Sequence, residues 1–405
     1  MERRKYGEVR GGFVGRIAQK HDRIQKVKEI NGGNSKFRPL FAFVTVMLVL
    51  IGLGLSLAIS PPTENSESPA SVTYNVRGPI AIVGDIGFTA GNGVNGGTGT
   101  SGDPYIIDDW DITAAAGHAI SITGTRAYFQ IRNCSLHDGR TPTWDGIILT
   151  NVENGTITNN SILNNTHGIH LDSSDWNNIL NNTVSINSLD GIYLDGSFNN
   201  SIENNTCMTN GWNGVFLSVS DDNFVFNNTC NSNLWDGIYL EASSDNKIKW
   251  NNCSKNVDDG IEMFWKCNGN VVFQNVVISN TDYGCSISTS CAGNTVNQNT
   301  FIFNRGSLAY PAYNPLMVQG YDNNGPVNSW SQGGQGNYWY DWTGPDILPG
   351  PPDLIVDNPY LLDGGAGVTD PSPLVNFYVI PEPGTLVLAI SMLAICLASI
   401  RWKRG

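Results

Sequence analysis

Acidic and histidine side chains recur just before a repeated glycine, and their types could hold a metal ion. Asp145, His167 and Asp190 occupy this position in successive repeats, so stacking of the repeats would place them about 5 Å apart. Histidine with carboxylates at that spacing binds transition metals or forms charge-assisted pairs. The sequence therefore predicts a weak divalent-cation site at these three residues. The competing interpretation is that they cap a turn before glycine.

Aromatic and acidic side chains fill a second set of positions that could bind sugars. The rings stand in the middle of repeated apolar-x-apolar steps, and carboxylates follow two residues later. Rings stack on sugar faces and carboxylates accept hydrogen bonds from sugar hydroxyls, although stacked aromatics are also favourable cross-strand pairs. We expect an exposed carbohydrate-binding ribbon formed by His170, Tyr193, Phe216, Tyr239, Asp172, Asp195, Glu241, Trp212 and Trp235.

The same positions do not define a catalytic centre. A lyase or epimerase would need a base beside lysine or arginine, and basic residues are sparse in the repeats. A hydrolase would need two carboxylates about 5 to 9 Å apart, a distance that stacking supplies without any selection for catalysis. The catalytic residues are therefore unknown, and the regularity of the repeats favours a non-enzymatic protein.

The elements that must position these side chains repeat every 23 residues. Glycines recur at this interval from Gly168 to Gly260, each opening an apolar-x-apolar step. Short alternating steps bounded by Asn, Gly, Asp and Ser are typical of strands, and three such steps per repeat form one coil of a parallel β-helix. We predict an all-β solenoid with coils of 22–24 residues over residues 78–305, closed by an aromatic and glycine-rich region over 306–375.

Columns of one residue type predict which side chains face the core. Two asparagine columns are expected to form ladders between coils; they comprise Asn177, Asn200, Asn223 and Asn246, and Asn160, Asn182, Asn205, Asn228 and Asn251. A third column, expected in the core, comprises Ile162, Val184, Cys207, Cys230, Cys253 and Val276. One pair of its cysteines is close enough to bridge, and Cys285 with Cys291 could close a loop.

The ends of the chain differ from its middle and predict a membrane topology. A basic leader over 1–38 precedes an apolar run over 39–60, and a second apolar run ends in a basic tail. The positive flanks place both termini in the cytoplasm, with residues 61–77 as a linker. Whether the first run is cleaved stays open. Between the runs, 9 basic and 32 acidic residues leave a charge near −23, which makes nucleic acid an improbable partner.

The C-terminal segment, residues 376–405, contains a short motif that resembles a sorting signal. Pro381, Glu382 and Pro383, followed by the apolar run and basic cluster, resemble the PEP-CTERM sorting signal. The resemblance implies processing by an exosortase-type or archaeosortase-type membrane peptidase, and the alternative is a simple tail anchor. Nine glycosylation sequons have their acceptors at Asn133, Asn154, Asn159, Asn164, Asn181, Asn199, Asn204, Asn227 and Asn252.

The repeated "DGIYL", "NNSIENNT" and "SSDNKI" steps resemble NosD-type right-handed parallel β-helix proteins of the pectin-lyase-like superfamily, and the flanks resemble archaeal surface proteins. The resemblance implies a right-handed solenoid and, from the NosD name, a link with copper. In relatives the exit stretch reads like a calcium loop, whereas here prolines separate Asp346 from Asp353, with Asp357 further on. No cofactor is expected with certainty, and a divalent cation is the one candidate.

These observations favour a membrane-anchored cell-surface protein that serves as envelope structure or in adhesion and glycan binding. Its expected partners are the membrane, surface glycans and the processing peptidase. The alternative is an extracellular polysaccharide lyase, epimerase or hydrolase. A NosD-like copper accessory protein is a weaker alternative.

Overall fold

Short strands follow one another three to a coil, and each strand pairs in parallel with the equivalent strand one coil away. This architecture comes from a computed structural model that describes residues 74–140, 143–307, 314–342, 355–356, 358–364 and 367–376. Outside these ranges lie the leader, both apolar runs, the sorting motif Pro381–Pro383 and the acids Asp346, Asp353 and Asp357. Within them, no helix is long and apolar enough to cross a membrane.

Three parallel sheets of 11, 10 and 9 strands form the walls of the solenoid. Sheet A contains β1 (Asn75–Arg77), β4 (Trp110–Thr113), β7 (Ser135–His137), β10 (Ser161–Leu163), β13 (Thr183–Ser185), β16 (Thr206–Met208), β19 (Thr229–Asn231), β22 (Asn252–Ser254), β25 (Val276–Ile278), β28 (Thr300–Ile302) and β30 (Tyr338–Trp339). Sheet B contains β2 (Ile80–Val83), β5 (Ile120–Thr125), β8 (Ile147–Val152), β11 (Ile169–Asp172), β14 (Ile192–Asp195), β17 (Val215–Ser218), β20 (Ile238–Glu241), β23 (Ile261–Phe264), β26 (Cys285–Ile287) and β29 (Gly320–Asp322).

Sheet C completes each coil between a strand of sheet B and the next strand of sheet A. It contains β3 (Tyr105–Asp108), β6 (Phe129–Arg132), β9 (Gly155–Thr158), β12 (Asn178–Leu180), β15 (Ser201–Glu203), β18 (Phe224–Phe226), β21 (Lys247–Lys249), β24 (Val271–Phe273) and β27 (Thr295–Asn297). Three 3₁₀ turns (Asp85–Gly87, Ala90–Asn92 and Asn304–Gly306) and one antiparallel pair, β31 (Tyr360–Leu361) with β32 (Thr369–Asp370), complete the described elements.

Alternating apolar residues of every strand fill the core, because successive side chains of a strand point to opposite faces. Ile169 and Leu171 are fully buried and pair in register with Ile192 and Leu194. The predicted cysteine column is confirmed up to Cys253, but its partner in the next coil is Val277 rather than Val276. The connection between β23 and β24 has six residues where the previous coil has five, and this insertion shifts the register by one.

Both predicted asparagine ladders are confirmed as chains of buried hydrogen bonds. The main-chain N–H of Asn182 donates to Asn205 Oδ1 over 2.9 Å, and that of Asn205 donates to Asn228 Oδ1 over 2.8 Å. The structure adds a third ladder that the sequence analysis missed, at the turn from sheet A to sheet B. Its members are Asn165, Asn187, Asn210, Asn233, Asn256, Asn280 and Asn304.

The asparagines whose backbone is left-handed, with positive φ, are not the asparagines that form the ladders. Residues with φ between 51° and 66° include the sequon acceptors Asn133, Asn154, Asn159, Asn164, Asn181, Asn199, Asn204 and Asn227, whereas Asn252 lies in β22. All nine acceptors are exposed or half-buried. The ladder position immediately follows the acceptor in the repeated Asn-Asn turn, so one asparagine makes the turn and the next one bonds the neighbouring coil.

The solenoid extends further than the predicted boundaries. β1 begins at Asn75, before residue 78, while β29 and β30 continue sheets B and A into the region that was predicted to be irregular. This closing region buries Asp341 and Asp370 beside aromatic rings. Burial raises the pKa of each carboxyl to about 6, although hydrogen bonds from neighbours oppose the shift.

These two acids predict a closing region that is more stable in acid. Their folded pKa lies above the ordinary aspartate value of 3.8, so the stabilisation is complete below pH 3.8 and is lost as the pH rises through about 6. We expect the free energy of unfolding to fall by about 2 kcal/mol per group between pH 4 and pH 7.5. Thermal unfolding of the full chain measures this. The neutral analogue Asp341→Asn should reduce the pH dependence, and an unchanged dependence would contradict the assignment.

Candidate functional site

The outer face of sheet B carries a ladder of rings. In each strand of the type Ile-x-Leu the middle side chain points away from the core, and register places His170, Tyr193, Phe216 and Tyr239 side by side. Ring centroids are 4.8 Å apart for His170 and Tyr193, 5.0 Å for Tyr193 and Phe216, and 4.9 Å for Phe216 and Tyr239. The predicted stacking of these rings is therefore confirmed.

The expectation that the whole ribbon is exposed was wrong. Phe216 and Tyr239 are each 3% exposed and Trp235 is 7% exposed, and Glu241 is also buried. The rings of Tyr193 and Tyr239 cover both faces of Phe216, and Tyr239 lies between Phe216 and the buried side chain of Glu262. Trp212 stacks on Trp235 at 4.6 Å. Sugars therefore cannot stack on the inner rings.

The side chains at the end of the ladder nearer the N-terminus are partly accessible. His170, Tyr193, Asp172, Asp195 and Trp212 are half-buried. The two carboxylates are register partners on adjacent strands, about 5 Å apart. The accessible part of the predicted sugar-binding face is thus limited mainly to strands β11 and β14.

A group that we call the histidine cluster borders this accessible part; it comprises His118, Asp145, His167, His170 and Asp190. His170 Nδ1 lies 3.3 Å from Asp145 Oδ2, and the main-chain N–H of Asp145 donates to His118 Nδ1 over 2.9 Å. Asp145 Oδ1 accepts the main-chain N–H of His167 over 3.0 Å. One buried carboxylate thus fixes two neighbouring coils and orients the ring of His170.

The second carboxylate of the cluster faces the second histidine ring. His167 Nδ1 and Asp190 Oδ2 are 3.4 Å apart, close enough for charge attraction but without the alignment of a hydrogen bond. Asp190 Oδ1 accepts the main-chain N–H and the side-chain amide of Asn213 over 3.0 and 2.8 Å. These contacts give the column a structural role, as the competing interpretation held, but the hydrogen bonds join neighbouring coils rather than cap the turn before glycine.

Electrostatics within the cluster favour charged pairs. Burial acts to raise the pKa of Asp145, but the nearby imidazoles of His118, His170 and His167 hold it well below its usual range. Burial acts to lower the pKa of His167, but the carboxylate of Asp190 raises it above its usual value. For Tyr193, burial and the neighbouring charges of Asp195 and Asp190 raise the phenol pKa well above its usual value.

Four buried polar atoms in this area have no hydrogen-bond partner among the described residues: Trp144 Nε1, His167 Nδ1, His170 Nε2 and Asp190 Oδ2. They belong to three neighbouring coils of the same face. A buried polar atom without a partner costs about 1–3 kcal/mol, and a bound ligand or water removes that cost. Their concentration here marks this part of sheet B as the candidate site.

The backbone beside the cluster departs from the repeat. The connection from β7 to β8 contains nine residues, 138–146, whereas those of the next six coils contain five or six. It carries Trp144, whose ring packs edge-on against His118 at 5.0 Å. The repeats were expected to be unbroken here, and the extra residues before Trp144 are the sequence signal of this departure.

The predicted metal site at Asp145, His167 and Asp190 is not assembled. His167 approaches the two acids through different atoms, its main-chain nitrogen and its ring. Among the described residues, the one trio whose ligand atoms all lie within 4.8 Å of one another is Asp236, Asp258 and Asp259. Burial and neighbouring acids raise the pKa of Asp259 well above its usual value. That trio offers only oxygen ligands, which suit hard cations rather than copper.

All seven described cysteines are buried free thiols. Cys207, Cys230 and Cys253 stack in sheet A as expected, without a bridge. The suggested loop between Cys285 and Cys291 is wrong, because Cys285 lies in β26 while Cys291 Sγ accepts the main-chain N–H of Cys267 over 3.4 Å. Cys267 and Cys291 continue the column of the buried serines Ser174, Ser197, Ser220 and Ser243.

Comparisons with solved structures return β-helix proteins at low similarity. A mutant of the periplasmic alginate epimerase AlgG is 18% identical over 49% of this chain and 60% of its own, with a TM-score of 0.38. Pectate lyase Pel9A is 13% identical over 65% and 82%, with a TM-score of 0.44. The enzymatically active domain of bacteriophage CBA120 tailspike protein 2 is 13% identical over 62% and 40%, with a TM-score of 0.46. At this level the similarities do not bear on activity.

The chain spans less than two thirds of the length of that epimerase and of that tailspike domain. No curated protein matches its sequence. The family model described as the right handed beta helix region matches residues 86–197 and 145–301, which together cover more than half of the chain. The protein therefore belongs to the right-handed β-helix family.

Proposed function

We propose that this protein is a non-enzymatic β-helix protein of the cell surface that binds glycans at the outer face of sheet B, beside the histidine cluster. The observation that carries the proposal is a pair of buried polar atoms without a partner, Trp144 Nε1 and His170 Nε2, next to half-buried rings and carboxylates. The indole nitrogen is a donor, and the imidazole nitrogen donates or accepts according to its tautomer. Sugar hydroxyls donate and accept, so a glycan can supply a partner to each of them.

Ordered water is the other group that can supply hydrogen-bond partners to these buried atoms. A glycan would bind by replacing such water with hydroxyls in a fixed geometry, which gains affinity when the hydroxyls reproduce the hydrogen bonds of the water. The edges of His170 and Tyr193, rather than ring faces, would contact the sugar, because stacking within the ladder already occupies ring faces.

A glycan array probed with the full chain tests this proposal. The variant Trp144→Phe removes the indole donor and keeps a ring, and we expect it to weaken binding of any array hit about tenfold. Trp176→Phe is the matched control, because Trp176 is exposed on the turn after β11 and outside the cluster. Absence of any hit, or equal losses in both variants, would contradict a site at this position.

A second candidate function is acid–base catalysis on a bound polysaccharide, as in a lyase, epimerase or hydrolase. The observation that favours it is the pair His170 and Asp145, in which the carboxylate orients one ring nitrogen and leaves Nε2 without a partner, as in a positioned general base. Reducing-sugar and unsaturated-uronate assays on array hits decide between the candidates. Turnover that His170→Gln abolishes would establish catalysis, and binding without turnover would exclude it for those glycans.

The surface location is part of the same proposal. It is supported by the basic leader, the two apolar runs and the motif at Pro381–Pro383, which would involve the membrane and an exosortase-type or archaeosortase-type peptidase. Occupied sequons would make the protein a glycoprotein. Protease added to intact cells should cleave the β-helix, and full protection that ends only on lysis would contradict this location.

A further inference from the structure

The proposed site has more acidic than basic side chains around it. Asp172 and Asp195 flank the accessible rings, and Asp145 and Asp190 lie beneath them. None of the ten strands of sheet B contains lysine or arginine. A ligand lying along this face therefore meets the carboxylates of Asp172 and Asp195, above two buried ones, and no strand-borne basic side chain.

The basic side chains on neighbouring connections are engaged elsewhere. Arg126 Nε donates to Glu153 over 3.0 Å on the turn after β5. Arg140 is exposed on the longer connection and donates to Asn164 Oδ1 over 3.4 Å, at the end of sheet A. The ring of His167 does not offset the acids of the site, because its Nδ1 already faces the carboxylate of Asp190 at 3.4 Å.

We infer that the site accepts uncharged glycans and excludes polymers of uronic acids. This inference rests on the proposed glycan-binding function and names its ligand class. A sugar carboxylate placed within about 5 Å of Asp172 or Asp195 would meet a like charge, which weakens binding on the order of tenfold per pair near a protein surface. The hydroxyl of the reduced sugar carries no such penalty and donates to the same carboxylates.

Matched pairs of oligosaccharides test the inference directly. Oligogalacturonate, oligomannuronate and oligoglucuronate would each be titrated into the full chain at pH 7.5 beside the carboxyl-reduced form of the same backbone. We expect at least one reduced form to bind, and to bind about tenfold or more tightly than its parent at low salt. The gap should narrow at 1 M salt, because exposed charges are screened there.

The variant Asp172→Asn with Asp195→Asn supplies the decisive comparison. Asparagine keeps the size of both half-buried side chains and removes the charges, so the gap between reduced and parent forms should shrink about tenfold. A parent uronate that binds as tightly as its reduced form would overturn the inference and leave the glycan-binding function standing. Binding of neither member of any pair would overturn the proposed function and the inference with it. An undiminished gap in the variant would overturn the role of these two aspartates.

Discussion

Replacing Asn205 with alanine is expected to lower the free energy of unfolding by about 4 kcal/mol. Asn205 Oδ1 accepts the main-chain and side-chain N–H groups of Asn182 over 2.9 and 3.0 Å, and its Nδ2 donates to Ile179 O over 2.8 Å. All of these groups are buried. The truncation leaves several of them without partners, and each costs about 1–3 kcal/mol.

Chemical denaturation of the full chain measures this loss. Asn178→Ala is the matched control, because Asn178 is an exposed asparagine on β12 of the preceding coil and should change stability by less than about 0.5 kcal/mol. Equal effects of the two substitutions would show that the ladder does not hold the coils together.

Replacing Gly214 with alanine is expected to cost about 3 kcal/mol. A Cβ at this position would lie 2.6 Å from Gly237 O, 2.9 Å from Asn233 Nδ2 and 2.9 Å from Cys230 Cβ. The backbone of the next coil cannot yield without breaking register, so the substitution overpacks the core. The repeated glycine is thus required by close approach between coils rather than by a left-handed conformation.

Gly102→Ala is the control for this substitution, since a Cβ there would meet no atom within 4 Å. We expect its midpoint of denaturation to stay near that of the parent protein, while Gly214→Ala shifts to lower denaturant. A midpoint for Gly214→Ala within error of the parent would contradict the packing of the glycine column.

The periodic features of the fold could be predicted from the sequence because each repeat has the same residue types at the same positions. The pairing of Ile179 with Ile202 and the ladder through Asn182 and Asn205 follow from spacing alone. The register shift at Val277 could not be predicted in this way. It depends on one extra residue within a turn, and a single insertion does not show which strand will absorb it.

The candidate site was only partly predictable. The sequence identified Asp145, His167 and Asp190 as one column and Tyr193 with Phe216 as another. It did not show that stacked rings bury one another, so Phe216 and Tyr239 were expected to be accessible. Hydrogen-bond satisfaction depends on atomic positions rather than on spacing. The unpartnered Trp144 Nε1 was therefore beyond reach of pattern analysis.

A bound glycan is expected to supply hydrogen-bond partners to Trp144 Nε1 and His170 Nε2. The most direct test is the ¹⁵N–¹H spectrum of the tryptophan indoles, with the Trp144 signal assigned by its loss in Trp144→Phe. On addition of a saturating glycan identified on the array, the Trp144 indole proton should shift downfield as Nε1 donates a hydrogen bond, while the Trp176 signal stays in place. A glycan that binds to saturation and leaves the Trp144 signal unchanged would contradict the claim.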